Sequence, residues 1–79
     1  MTRDEAEKVV EALLEGKQFE FSNMYDGVME QLNYSKTEKL YVHDVKYAYY
    51  HDRNERMLFT REEMIKHLEQ GFAFESFVF

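Results

Sequence analysis

Two Thr-x-x-Glu steps, Thr2 to Glu5 and Thr60 to Glu63, stand near the two ends of the chain, and each introduces apolar residues at helical spacing. In such a box the threonine hydroxyl and the glutamate carboxylate each satisfy the other residue's backbone N–H, which starts a helix. Ala6, Val9, Val10 and Leu13 follow the first box at i, i+3, i+4 and i+7; Met64, Ile65 and Leu68 follow the second. Phe59 and Met64 occupy staple positions around the second start. Gly16 and Gly71 stand where a left-handed residue would end each helix. Two helices bounded this firmly confine any sheet to the stretch between them and to the residues after Gly71.

In that central stretch the hydrophobic period drops from 3.6 to about two. Asp26-Gly27 predicts a two-residue hairpin joining Gln18–Tyr25 to Val28–Tyr34. Ser35-Lys36-Thr37-Glu38 reads as a turn, Leu40 to Tyr50 as a long strand, and Met57–Phe59 as a short pairing segment after the turn Asp52–Glu55. A Phe-x-Phe strand signal follows each helix-ending glycine, at Phe19–Phe21 and Phe72–Phe74. The expected architecture is a single α+β domain over residues 1–79, an antiparallel meander of three to five strands with both helices on one face. The last expected strand, Phe72–Phe79, carries four phenylalanines in eight residues. As an open edge it would aggregate. It is therefore expected beside Phe19–Phe21 in a monomer, the favoured state, or across the two-fold of a homodimer.

Several function classes are excluded by what the chain lacks. Without cysteine there is no thiolate metal site, disulfide or cysteine nucleophile. No apolar run reaches the ~20 residues that span a bilayer, and no leader follows Met1, so a soluble, cytoplasmic protein with no membrane partner is expected. Gly16, Gly27 and Gly71 are isolated and form no phosphate cradle. His43-Asp44 and His51-Asp52 place each histidine and its neighbour on opposite strand faces. His67 lies one turn from Glu63, which the capping box already uses. Ser22, Ser35 and Ser76 stand in no nucleophile context. The reading is a non-enzyme with no catalytic residues, no cofactor and no metal, whose histidines are at the surface or half-buried.

Charge distribution is more informative. The chain carries a formal charge of −6, of which −5 falls in residues 1–30. Asp4, Glu7, Glu11 and Glu15 form one ridge opposite the apolar stripe of the first helix, with only Lys8 beside it. Like charges at i,i+4 cost a helix ~0.2–0.5 kcal/mol per pair, so the ridge gives up local stability. It either serves as a solvated face or docks on a basic surface of a partner protein, with Glu20 and Asp26 extending it. Carboxylates one turn apart are sparser than DNA phosphates, so mimicry of a nucleic acid needs Glu20, Asp26 or Glu30 to fill in. A chain this small, acidic and compact resembles the open reading frames of phages and mobile elements, many of which encode inhibitors of host proteins. The resemblance implies an inhibitor and carries no residue roles.

The alternative function lies in the tyrosine-rich strand. Tyr41, Tyr47 and Tyr49 share a face on which single-stranded nucleic acid could stack, with Lys46 near by. Duplex DNA is not an expected partner of so acidic a chain. A third reading is a self-associating structural protein joined through the C-terminal strand.

Overall fold

A computed structural model describes residues 1–23 and 25–79. The element order is α1 (Arg3–Leu14), β1 (Phe19–Asn23), β2 (Val28–Ser35), β3 (Leu40–Tyr47), a 3₁₀ turn (His51–Arg53), β4 (Glu55–Phe59), α2 (Arg61–Gly71) and a second 3₁₀ turn (Phe74–Ser76). The four strands form one antiparallel sheet in the order β1-β2-β3-β4. Both helices start at the expected boxes: Glu5 N–H donates to Thr2 Oγ1 and Thr2 N–H to Glu5 Oε1, and Thr60 and Glu63 repeat the exchange. Gly16, at φ +106°, ends α1 as anticipated. Gly71 does not end α2 in that way. It is the last helical residue, and Phe72 caps the helix in an extended conformation.

Both helices cover one face of the sheet. Ala6, Val9, Val10 and Leu13 of α1 and Met64, Ile65 and Leu68 of α2 meet Phe19, Leu32 and Tyr41 in one core. The register runs Phe19–Leu32–His43–Met57 across all four strands, so these side chains share the helix-covered face. Val42 points to the other face and is nonetheless buried, between Asn33 and Leu58 in the register. Both faces of β3 are therefore covered in part, and its pairing with β2 is unbroken from Leu40 to Tyr47.

Three boundaries differ from the sequence reading. β1 ends at Asn23, which pairs with Val28 and accepts from Tyr25 N–H with its side chain, so the connection is longer than the two residues expected; Met24 of the expected strand lies outside the described residues. β3 stops at Tyr47, and Asn54 Oδ1 accepts the Tyr47 N–H at 2.8 Å. β4 begins at Glu55 and pairs with β3 over five residues.

The tail is the larger correction. Phe72–Phe79 forms no strand, neither beside β1 nor anywhere else among the described residues. A 3₁₀ turn absorbs its backbone polarity, with Ser76 and Phe77 N–H donating to Ala73 and Phe74 C=O. The tail buries rings instead of pairing backbone. Phe77 is buried edge-on against Phe19 at 4.9 Å and Phe21 at 5.1 Å between ring centres. Two phenylalanine pairs that change phase between residues 74 and 77 cannot all face the core from one regular strand, whereas one turn of 3₁₀ backbone lets Phe77 do so.

Candidate functional site

On the helix-covered face Glu30 of β2 stands diagonally from His43 of β3, within reach of a long side chain. His67 of α2 lies over the same point. His43 Nε2 is 2.9 Å from Glu30 Oε1, and His43 Nδ1 is 2.8 Å from His67 Nε2. The three form a continuous hydrogen-bonded chain from a half-buried carboxylate, through a histidine only 4% exposed, to a half-buried histidine on the helix. A carboxylate only accepts, so His43 Nε2 donates to Glu30. When both rings are neutral, His43 Nδ1 must then accept from His67 Nε2–H, which leaves His67 Nδ1 bare.

The surroundings favour a neutral His67. The His67 ring stacks on Phe59, centres 4.5 Å apart, and meets the edge of Phe72 at 5.7 Å. Burial first, and the neighbouring His43 second, hold His67 below the ordinary imidazole value, while Glu30 pulls the other way. A cavity of about 330 Å³ opens beside the chain, walled by Phe21, Phe72, Glu30, His43, His67 and Ser76. Three groups of this kind act chemically as a proton relay: a proton taken at His67 Nδ1 is balanced by handing Nε2–H to His43, next to the Glu30 carboxylate. Among the described residues no cluster of three or more candidate ligands is arranged to hold a metal ion.

The sequence reading placed the histidines at the surface or half-buried, and His43 departs from it. The rejected His-Asp neighbours indeed do not pair, and His51 is exposed in the 3₁₀ turn. The missed partners come from other elements. A signal existed: His43 alternates in phase with Tyr41 and Val45, and His67 lies three residues after the apolar Met64, at the margin of its stripe.

The acidic ridge is on the exposed side of α1, but it is not uncompensated. Arg3 forks onto Glu62 of α2 with both contacts at 2.8 Å, and its Nε lies 3.3 Å from Glu7. Arg61 of α2 reaches Glu11 at 3.1 Å. Arg61 is supplied by the neighbouring helix, which a helix read alone omits, whereas Arg3 stands one turn before Glu7 in α1 itself. The Arg3 guanidinium holds the Glu62 carboxyl below its usual value; as exposed pairs these contribute little, ~0–1 kcal/mol each. Glu20 alternates with Phe19 and Phe21 and so occupies the sheet face away from the helices, bonded to Gln31. Asp26 lies in the β1–β2 loop and accepts from Asn23 Nδ2. Neither extends the helical ridge. Glu7, Glu11 and Glu15 instead share a groove of about 580 Å³ with Lys8, Phe74 and Phe79.

The tyrosine ladder is not assembled as expected. Tyr41 is buried against Tyr34, ring centres 4.8 Å apart, and burial raises its pKa, so no ring face is free for a base. Tyr47 ends β3, Tyr49 lies beyond the strand and is 76% exposed, and Lys46 points to the opposite face from Tyr41. Tyr47 and Lys46 line a separate, mainly apolar cavity of about 300 Å³ with Val28 and Met29.

No helix among the described residues is long and apolar enough to cross a membrane. No family model matches the chain, and no curated protein or solved structure matches it either.

Proposed function

We propose that this chain is a non-enzymatic protein-interaction module that binds a basic segment of a partner protein along α1. The observation that carries this reading is the groove in which Glu7, Glu11 and Glu15 run beside the rings of Phe74 and Phe79. Carboxylates spaced one helical turn apart next to the exposed Phe79 ring and the half-buried Phe74 ring suit lysine or arginine side chains, whose methylene stems pack on aromatic surface while their heads meet the acids. Phe79 is 53% exposed and Leu14 45%, so apolar surface is available around the charges. The net charge of −6 favours encounter with a basic surface and speeds association at low salt. Inhibition of the partner is the consequence where the basic segment it occupies normally holds nucleic acid.

The test is capture from a lysate of the source cells, followed by carbodiimide cross-linking and mapping of the joined residues. The reading expects cross-links from Glu7, Glu11 or Glu15 to partner lysines, lost in the Glu11→Lys, Glu15→Lys double variant and weakened by salt. Capture of the same proteins by the charge-reversed variant would sink it.

A further inference from the structure

We propose that the cavity beside Glu30, His43 and His67 is a binding site for an organic cation bearing N–H donors, a guanidinium or alkylammonium head. The cavity is separate from the α1 groove, and the proposal stands whether or not that groove takes a partner.

A small domain gains little by burying His43 and half-burying Glu30 and His67 where apolar residues would pack, and such a network marks a place where sequence departs from stability alone. The pairing leaves two atoms unused. Glu30 Oε2 and His67 Nδ1 accept no hydrogen bond among the described residues. Neither is sealed from solvent, because Asn33 Oδ1 is the one buried side-chain polar atom without a partner among those residues. With the relay neutral, both free atoms are acceptors and call for donors, while the Ser76 hydroxyl on the same wall both donates and accepts. The other wall is aromatic: the rings of Phe21 and Phe72 line the same cavity. A carboxylate acceptor, an imidazole acceptor and two phenyl rings around one cavity recognise a cation through charge-assisted hydrogen bonds and ring faces together. A carboxylate or phosphate ligand meets the like charge of Glu30 there.

The relay also sets when the site is open. The groups that act on His67 are Glu30 from β2 and His43 from β3, and the neighbours that touch its ring, Phe59 of β4 and Phe72, are uncharged. A proton at His67 Nδ1 turns that acceptor into a donor and cancels the charge of Glu30. Protons and the organic cation therefore compete for the site.

The experiment uses n-propylguanidinium as probe and its neutral isostere n-propylurea as control, followed by histidine-ring ¹⁵N and backbone amide shifts of the full chain. The guanidinium should saturate with shifts centred on Glu30, His43, His67 and Phe72, and the urea should not. In Glu30→Gln the side-chain oxygen still accepts from His43, so the relay and the melting temperature persist while affinity falls about tenfold or more. Affinity should also fall as pH drops below 6.5 and His67 charges. A blocked peptide with one arginine among alanines separates the two sources: tighter binding than the small probe identifies a partner's side chain, and weaker binding a free small molecule. Equal binding of the urea, unchanged affinity in a folded Glu30→Gln, or an affinity indifferent to pH would each overturn the proposal.

Discussion

Truncating Phe77 to alanine tests the account of the tail most directly. The ring is 6% exposed and touches Phe19, Phe21 and Phe72, with centres at 4.9, 5.1 and 5.9 Å. Removing a buried phenyl costs ~3–5 kcal/mol in transfer and cavity terms, and edge-to-face pairs add ~0.5–1.5 kcal/mol beyond area burial. The tail is held by these rings and one 3₁₀ turn, so partial collapse onto the gap is available and the lower end, about 3 kcal/mol, is expected. A domain of this size has roughly 4–12 kcal/mol in total. The loss should therefore lower the melting temperature by about 12–24 °C, at ~4–8 °C per kcal/mol. Urea unfolding followed by circular dichroism measures it, with Phe79→Ala as the reference. Phe79 is 53% exposed, and its truncation should cost under about 1 kcal/mol. If the two variants lose the same stability, or if Phe77→Ala loses less than about 1 kcal/mol, ring burial by the tail is not what holds it.

Four further outcomes follow from particular contacts. His67 binds its proton more weakly folded than unfolded, so its share of stability is complete above its ordinary value of 6.5 and is lost as pH falls below it; urea midpoints should drop from pH 8 to pH 5, and His67→Gln should flatten that slope. Gly27→Ala should destabilise by about 1–2 kcal/mol, because Gly27 sits at φ +64° and a Cβ there would lie 2.9 Å from Tyr49 Cε2. Gly71→Ala, helical and with open space around it, should instead raise stability by up to about 1 kcal/mol in the same thermal melts. Asn33→Val should also stabilise, by about 1 kcal/mol, since it removes a buried acceptor that has no partner among the described residues; a loss on chemical denaturation would show that Asn33 satisfies its amide in solution.

Local chemistry in the sequence determined the helices, the turns and the alternation of the strands. Thr2, Glu5, Thr60 and Glu63 act within four residues of one another in each box, so a linear reading finds both helix starts. Apolar period does the same for the core stripes of α1 and α2, and for the α+β class with both helices on one face. The helix end at Gly71 was misjudged for the same local reason, since a glycine there permits a left-handed residue without requiring it.

What tertiary structure alone decided is where side chains from distant elements meet. The Glu30–His43–His67 chain joins residues separated by 13 and 24 positions, and the two ion pairs that tie α1 to α2, Arg61 with Glu11 on the acidic ridge and Arg3 with Glu62, span 50 and 59 positions. Neither periodicity nor a local motif encodes such pairings; they follow from strand register and from the way α2 lies beside α1. The tail shows the same limit. Its phenylalanines announced that Phe72–Phe79 must be covered, but β propensity cannot tell a strand that pairs its backbone from a segment that docks its rings. The core offered a gap beside Phe19 and Phe21 that one ring could fill. That gap exists only once the sheet and both helices are in place.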